Sequence, residues 1–234
     1  MEKKTVLITG ASRGIGKQFA LAFCQNRWNV FGCYKNITPD YTIPNSQFTK
    51  TDITNLDEVK KLIGSVVNKY NTIDCVINNA SITASSTIFK MTDEMWKSVI
   101  ETNLSGTFYM VKETLKTMMK QKNGSIINIA SISAFKSYIG DVNYSASKAG
   151  VVALTKTAAR EAGRFGVTVN AVLPGFHFAT GTTDNASDQY TDAVKKESVL
   201  NTTTDIKELT AFIVFLAQIR TVSGQIFNFD SRLI

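Results

Sequence analysis

The sequence feature that most constrains the fold is a glycine-rich run near the amino terminus, TGASRGIG at Thr9–Gly16. The mainly apolar segment 5–8 precedes it and predicts a buried strand. The segment 17–23 follows it, and its apolar residues recur at helical spacing. The chain is therefore predicted to pass from a strand through a tight glycine turn into a helix.

The glycines of this run suit a turn that closely approaches a ligand. Because glycine lacks a Cβ atom, Gly10, Gly14 and Gly16 allow a sharp turn and close packing of the helix on the strand. The helix start directs unpaired N–H groups and the positive end of its dipole into the turn, which favours a bound pyrophosphate. The turn residues predicted to contact such a ligand are Gly10, Ser12, Arg13, Gly14, Ile15 and Gly16.

Two other interpretations of this run are weaker. A P-loop requires Gly-Lys-Ser/Thr, which the segment 16–18 does not supply. The segment 10–14 also matches Gly-x-Ser-x-Gly, the nucleophile elbow of a hydrolase with Ser12 as nucleophile, but only nine residues precede Gly10 and none can form the earlier oxyanion loop. Because a lone histidine lacks an orienting partner, His177 is expected to lie on a surface loop rather than act in catalysis.

Composition indicates a single globular domain, 1–234. With 44% hydrophobic and 19% charged residues, the chain is long enough to bury a sizeable core. We expect no secretory signal, and the longest apolar stretch, 209–219, is too short to cross a bilayer, which predicts a cytoplasmic protein with no membrane partner. Three scattered cysteines and one histidine argue against disulfides and metal sites. The net charge is +7, but the sequence contains no run of five basic residues, so nucleic acid is not expected as a partner.

Strands and helices are predicted to alternate along the rest of the chain. Strands are expected at 28–34, 47–51, 73–77, 125–130, 167–172 and 225–229, and helices at 55–70, 92–100, 103–120, 144–162 and 205–217, with a short one at 189–198. This alternation predicts an α/β fold with a single doubly wound, Rossmann-type parallel sheet of about seven strands and helices on both faces. Ligands of such sheets bind beyond the carboxyl ends of the strands. The polar segment 176–204 is predicted to be a substrate lid.

The charges after the second strand favour NADP(H) as the cofactor. An NAD site uses an acidic residue to hold the ribose 2′-OH, but no Asp or Glu occurs between Glu2 and Asp40. Arg13 and Lys35 instead offer cations for a 2′-phosphate. After the third strand, Asp52 is a candidate acceptor for the adenine amino group, with helix capping as its alternative role.

Ser131, Tyr144 and Lys148 form the predicted catalytic group. Tyr144 and Lys148 stand at i and i+4 at the start of a predicted helix, so both side chains share one face. The ammonium is expected to favour the phenolate and to lower the pKa of Tyr144 from about 10 towards working pH, which makes this tyrosine a general acid. Ser131 ends a strand of the same sheet and is expected to present its hydroxyl beside that helix; the alternative is a loop serine bonded to its own backbone.

Several motifs occur together in one order: the glycine run, Asn78-Asn79-Ala80, Asn103, Ser131, Tyr144-x-x-x-Lys148 and Pro174-Gly175. In this combination the chain resembles the short-chain dehydrogenase/reductase family, and it is most similar to the 3-oxoacyl-[acyl-carrier-protein] reductases. The resemblance implies that Tyr144 gives a proton to the substrate carbonyl and that Ser131 hydrogen-bonds the same oxygen. It also implies that Lys148 holds the nicotinamide ribose and that Asn103 retains a water for a proton relay.

The same resemblance implies further contacts and an assembly. The cofactor contacts that it adds are Ile53, Asn79, Ala80, Tyr144, Lys148, Pro174, Gly175 and Thr180. It implies a homotetramer built partly through the long helices that contain Asn103 and Tyr144 and through the terminal strand. The residues Lys120, Lys122 and Arg164 make the chain basic where carrier protein docks in such reductases.

The chain departs from the family pattern at several places, one of which is the short stretch 37–46. Ser81 follows Asn-Asn-Ala where the family has glycine, and a positive φ there would strain the backbone. Thr180 stands one residue later than the family's carboxamide-binding threonine. The segment 230–232 lacks the glycine pair that the family has near its end.

These features predict an NADPH-dependent oxidoreductase that reduces a ketone to a secondary alcohol. The leading substrate class is a 3-oxoacyl thioester, as in fatty acid biosynthesis, either small or bound to an acyl carrier protein. The alternatives are a reductase or dehydrogenase of a steroid, sugar or quinone, a catalytically silent nucleotide-sensing protein, and the hydrolase.

Overall fold

One parallel sheet of seven strands forms the centre of the computed structural model, which describes residues 3–136, 138–177 and 187–232. The strands are β1 (Thr5–Thr9), β2 (Asn29–Tyr34), β3 (Ser46–Lys50), β4 (Cys75–Asn78), β5 (Gly124–Ile129), β6 (Val167–Leu173) and β7 (Ile226–Asn228). Their spatial order is β3-β2-β1-β4-β5-β6-β7, and every neighbouring pair is parallel. The predicted α/β fold is confirmed.

Helices cover both faces of this sheet. They are α1 (Gly14–Gln25), α2 (Leu56–Tyr70), α3 (Asp93–Ile100), α4 (Gly106–Gln121), α5 (Val142–Ala162), α6 (Asp188–Glu197) and α7 (Ile206–Leu216). Successive strand residues point to opposite faces, so Val6 and Ile8 pack with α1 and α7, whereas Leu7 packs with α2, α4 and α5. Because both faces are covered, the central strands β1, β4 and β6 are buried on both sides, as is typical of a parallel sheet.

The structure joins two helices that were predicted to be separate. A π-helical turn, Glu101–Ser105, connects α3 to α4 without a break, and the residues at its two ends have right-handed helical backbone angles. A π turn inserts an extra residue into the helical repeat and shifts the phase of the apolar positions. That shift imitates a helix boundary in the sequence, which explains why two helices were expected.

The lid segment contains one helix among its described residues. Ser187 caps α6, with its side chain accepting a hydrogen bond from the main-chain N of Tyr190 at 3.1 Å. Ser198, directly after α6, pairs with Arg232 in an antiparallel bridge and so attaches the lid to the chain after β7. Within the described ranges, no helix has the length and apolar character needed to cross a membrane.

Candidate active site

The predicted site residues converge on one cavity at the carboxyl edge of the sheet, where the strand order reverses between β1 and β4. The cavity has a volume of about 1110 Å³. The predicted residues that line it are Gly10, Ser12, Arg13, Ile15, Gly16, Lys35, Asp52, Ile53, Asn79, Ala80, Ser131, Tyr144, Lys148, Pro174 and Gly175. Gly14 lines an adjoining cavity of about 410 Å³. Asn103 is buried away from the cavity, and Thr180 lies outside the described residues.

The glycine turn is packed too closely for side chains at two of its positions. Gly10 has φ +66°, and a Cβ atom there would lie 2.8 Å from the Cα atom of Ala80. A Cβ atom on Gly16 would lie 2.2 Å from the Gly10 carbonyl oxygen. The turn therefore lies directly against the end of β4, and α1 begins directly against the turn.

Side-chain hydrogen bonds of Asn79 and Thr9 stabilise this turn. The Asn79 side-chain Nδ2 donates to the carbonyl oxygens of Thr9 at 3.0 Å and Gly10 at 3.1 Å. The Thr9 hydroxyl accepts from the main-chain N of Asn79 and of Ala80, both at 3.0 Å. Asn79 was predicted as a cofactor contact; it lines the cavity, and its amide group stabilises the turn that would hold the cofactor.

The first turn of α1 faces the cavity without a side-chain cap. Arg13 precedes the helix with an extended backbone, and its side chain makes no capping hydrogen bond. Three other helices, in contrast, are capped by the side chains of Asn55, Thr92 and Asp205. The α1 amide groups and the helix dipole are therefore available to an anion in the cavity.

Lys35 and Asp52, predicted to hold different parts of the cofactor, form an ion pair with each other. Lys35 Nζ lies 2.6 Å from Asp52 Oδ2. Asp52 also accepts from the Thr54 main-chain N at 3.0 Å and hydroxyl at 2.8 Å. Partial burial raises the pKa of Asp52, but the bonds from Lys35 and Thr54 outweigh it and hold this pKa below its usual range. Next to Asp52, Ile53 is buried against Gly106 of α4.

Tyr144 and Lys148 lie one turn apart on α5, as predicted. Lys148 is 3% exposed, and its Nζ donates to the Ile129 carbonyl oxygen, at the end of β5, at 2.8 Å. The same Nζ lies 5.5 Å from the centroid of the Tyr144 ring. The helix and the strand end together place the ammonium beside the phenol.

The expected lowering of the Tyr144 pKa is wrong for this structure. Desolvation in the cavity wall raises the pKa of Tyr144 to about 12, against a smaller opposing effect of a hydrogen bond with Ser131. Desolvation also lowers the pKa of Lys148 to about 8. Burial penalises both charged forms, and for Tyr144 this penalty is larger than the stabilisation that its neighbours give to the phenolate.

Ser131 follows β5, and its hydroxyl contacts both its own loop and Tyr144. Its hydroxyl accepts from the main-chain N of Ser133 at 3.1 Å and donates to the Ser133 hydroxyl at 3.2 Å. It also forms the hydrogen bond with Tyr144. Ser131 therefore makes the loop hydrogen bonds of the alternative interpretation and also lines the cavity beside Tyr144.

Asn103 lies in the π-helical turn and is 1% exposed. Its side-chain Nδ2 donates to the Ile82 carbonyl oxygen at 2.9 Å and to the Ser147 hydroxyl at 3.2 Å, while Oδ1 accepts from the Ile82 main-chain N at 2.9 Å. Its carbonyl oxygen accepts from the Thr107 hydroxyl at 2.7 Å. Asn103 thus ties the loop after β4 to α5.

One expectation outside the catalytic group is wrong, and the backbone strain considered for Ser81 is absent. His177 is 4% exposed rather than on the surface, because its ring turns back under the chain and places Nε2 2.7 Å from the Pro174 carbonyl oxygen. Burial lowers its pKa more than nearby acceptors raise it. Ser81 lines the cavity without a positive φ, so the loss of the family's glycine causes no strain there.

Sequence reasoning did not predict a polar group at the lid end of the cavity. Tyr138, Asp230 and Arg232 line this end, together with Tyr190 of α6. The side chains of Arg232 and Asp230 are 7% and 6% exposed and form an ion pair. The sequence signal for this group was the absence of the family's glycine pair at 230–232, where a charged pair stands instead.

Comparisons with known proteins agree with this arrangement. The family model described as short chain dehydrogenase matches residues 4–191. The chain is 37% identical to a 3-oxoacyl-[acyl-carrier-protein] reductase of Synechocystis, over 99% of this chain and 97% of that protein. It is 34% identical to the 3-oxoacyl-[acyl-carrier-protein] reductase FabG of Staphylococcus epidermidis, over 95% of both chains.

Solved structures give the same assignment. ElxO with NADP bound superposes with a TM-score of 0.89 at 28% identity, covering 98% of both chains. A variant of actinorhodin polyketide ketoreductase with NADPH superposes with a TM-score of 0.87 at 26% identity, covering 99% of this chain and 98% of that one. The family model and the relatives match a chain that has the glycine turn, the cavity between β1 and β4, and the Ser131, Tyr144 and Lys148 group. The chain therefore belongs to the short-chain dehydrogenase family.

Proposed function

We propose that this protein is an NADPH-dependent reductase that converts a ketone to a secondary alcohol, with a 3-oxoacyl thioester as the leading substrate class. The observation that carries the proposal is that Tyr144, Ser131 and Lys148 share one cavity with the uncapped start of α1. Such a cavity has room for a dinucleotide at one end and a ketone at the other. The curated relatives named above act on 3-oxoacyl groups, which supports the substrate class.

The donors at the adenine end fit NADPH. The α1 amide groups would hold the pyrophosphate, and Arg13 and Lys35 would meet the 2′-phosphate. Lys35 must then exchange its partner Asp52 for the phosphate, which frees Asp52 for the adenine amino group. When bound, the cofactor supplies a hydride for the carbonyl carbon. The neighbours ElxO and actinorhodin ketoreductase, solved with NADP and NADPH, support this choice.

The residues of α5 and β5 supply the proton. Because the pKa of Tyr144 is about 12, its phenol is protonated at neutral pH and can donate to the ketone oxygen as the carbon accepts the hydride. Ser131 would hold that oxygen by a hydrogen bond. The Lys148 ammonium, 5.5 Å from the centroid of the ring, would then stabilise the phenolate that remains and would also hold the nicotinamide ribose.

Asn103 is proposed to serve the proton relay through its main chain. Both N–H groups of its side-chain amide are used, on the Ile82 carbonyl and the Ser147 hydroxyl, so the amide has no donor left for a water. The carbonyl oxygen of Asn103 lies in the π-helical turn and accepts from the Thr107 hydroxyl at 2.7 Å. The proposed relay water would donate to the main-chain carbonyl of this turn.

The proposed partners follow from the surface and from the relatives. Lys120, Lys122 and Arg164 are exposed at the end of α4 and in the turn after α5, where they would attract an acidic acyl carrier protein. We also propose a cytoplasmic homotetramer assembled through α4, α5 and β7, with a role in fatty acid biosynthesis. The carrier-bound substrates in the relatives' names support the carrier part of this proposal.

NADPH oxidation, measured by the absorbance of the reduced nicotinamide at about 340 nm, tests the function directly. We expect turnover with an acetoacetyl thioester, slower turnover with unrelated ketones, and weak activity when NADH replaces NADPH. Faster turnover of a steroid, sugar or quinone than of the thioester would show that the enzyme acts on another substrate class. Tight NADPH binding without turnover of any ketone would instead indicate a silent nucleotide-sensing protein.

A further inference from the structure

A polar cluster that the proton transfer leaves unused lines the lid end of the cavity. It consists of Tyr138, Asp230 and Arg232, which we call the lid-end cluster. Tyr138 lies between Ser131 and Tyr144 in the segment that joins β5 to α5, and the other two follow β7. The cluster is therefore connected directly to the catalytic segment. Burying even a paired charge costs desolvation energy, so the placement of this ion pair at a cavity wall requires an explanation.

Asp230 holds the guanidinium of Arg232 in one orientation. Nε of Arg232 donates to both carboxylate oxygens of Asp230, at 2.9 and 3.0 Å, and Nη2 donates to Oδ2. The same carboxylate accepts from the main-chain N of Arg232 at 3.0 Å. The other terminal nitrogen, Nη1, is directed away from Asp230 and contacts the Tyr138 hydroxyl at 3.4 Å. Since a guanidinium carries two N–H groups on Nη1, this nitrogen and the Tyr138 hydroxyl form a pair of donors in the cavity wall.

The charges around this pair favour a neutral acceptor over an anion. Asp230 neutralises Arg232, and Asp141, which also lines the cavity, adds a negative charge. Burial lowers the pKa of His177, so that its imidazole is neutral at physiological pH. Lys136, whose Nζ lies 6.0 Å from the centroid of the Tyr138 ring, is paired with Glu197, so Asp141 leaves the described charges around the cluster net negative. This charge would repel a free carboxylate but would tolerate a neutral carbonyl oxygen.

We propose that Arg232, oriented by Asp230, and Tyr138 bind the second carbonyl oxygen of a 1,3-dicarbonyl substrate while its ketone lies at Tyr144 and Ser131. The proposal rests on the reductase function and makes its substrate class specific: the second oxygen is the thioester carbonyl of a 3-oxoacyl group. Two donors on one oxygen would align the ketone with the proton donor. They would also select against ketones that lack a second acceptor, because the donors would then be buried unpaired.

The experiment compares three ketones in the full-length protein with NADPH: a 3-oxobutanoyl thioester, the matched monoketone with CH₂ in place of the thioester carbonyl, and free 3-oxobutanoate. The wild-type protein should have the highest kcat/KM for the thioester. Tyr138→Phe and Arg232→Lys should each lower the thioester-to-monoketone ratio of kcat/KM by about tenfold or more, the effect of losing one buried donor, mainly through KM. Arg232→Lys keeps a charge beside Asp230 but loses Nη1.

A matched control makes the same chemical change elsewhere. Tyr109→Phe alters a partly buried tyrosine of α4 that packs against the core, and it should leave both kcat/KM values as in wild type. If Arg232→Lys fails to fold, as judged by near-UV circular dichroism, Tyr138→Phe decides alone. Equal wild-type kcat/KM for thioester and monoketone, equal losses for both ketones in the variants, or a preference for free 3-oxobutanoate would overturn the subsite. Failure of every ketone in wild type would overturn the reductase function itself, and the subsite with it.

Discussion

The ammonium of Lys148 lies 5.5 Å from the centroid of the Tyr144 ring while it donates to the Ile129 carbonyl oxygen at 2.8 Å. The strand end thus anchors the lysine, and the lysine is held beside the tyrosine. Desolvation moves the two pKa values apart, up to about 12 for Tyr144 and down to about 8 for Lys148. At neutral pH this pairs a protonated phenol with a charged ammonium, which is the combination that a reductase needs.

Removing the phenol oxygen should remove the proton donor. We expect Tyr144→Phe to lower kcat about 10²- to 10⁴-fold, the usual effect of losing a positioned general acid. The Kd for NADPH, measured by fluorescence titration, should change little, because the turn at α1 is untouched. A variant with wild-type turnover would show that another group donates the proton.

Replacing Lys148 should make the protein more stable and less active. Its folded pKa of about 8 lies below the unfolded value of 10.5, so the unfolded state binds more protons between these pH values. The charged lysine therefore destabilises the fold fully below pH 8, by roughly 3 kcal/mol, and this penalty is lost as pH rises towards 10.5.

Urea unfolding of Lys148→Met at several pH values measures this effect. At pH 7 the variant should be more stable than wild type, and the difference should shrink between pH 8 and 10.5. The matched variant Lys156→Met, at an exposed position of α5, should change the free energy of unfolding by less than about 0.5 kcal/mol. A pH-independent difference would mean that Lys148 titrates normally in the folded protein.

Lys35 should contribute to the choice of NADPH over NADH. We expect Lys35→Ala to weaken NADPH binding about tenfold, because a charge-assisted bond to the 2′-phosphate is lost, and to leave NADH binding nearly unchanged. Isothermal titration with both cofactors measures the change in selectivity. Lys69→Ala removes an exposed lysine of α2 and should alter neither affinity. Equal weakening of both cofactors by Lys35→Ala would contradict the role in phosphate binding.

Gly16 and Gly64 should respond oppositely to the same substitution. In Gly16→Ala the new Cβ atom would lie 2.2 Å from the Gly10 carbonyl oxygen, so the turn must move and NADPH affinity should fall by more than about tenfold. Gly64, on α2, has nothing within 4 Å of such an atom. Gly64→Ala should therefore stabilise the protein by about 0.5–1 kcal/mol through helix propensity, with normal NADPH binding. Thermal unfolding and NADPH titration of both variants provide the comparison.

The sequence pattern predicted the sheet well because its information is local and repeated. Residues 73–77 and 125–130 were predicted as strands, and β4 and β5 lie within one or two residues of those limits. The same approach failed at 101–105, where a π turn shifts the helical phase. It also misplaced His177, since burial depends on which segments fold over a residue rather than on its neighbours in sequence.

By itself the sequence determined the strand–turn–helix start, the parallel sheet and the Tyr144 and Lys148 pair, because period, glycine spacing and i, i+4 geometry act within a few residues. Only the tertiary structure decided that Lys35 pairs with Asp52, that the Tyr144 pKa rises, and that Arg232 and Tyr138 meet in the cavity wall. Tyr138 and Arg232 are 94 positions apart, and their contact depends on how β5, β7 and the lid pack together. Desolvation and long-range pairing arise only when distant segments are brought together, so no local pattern encodes them.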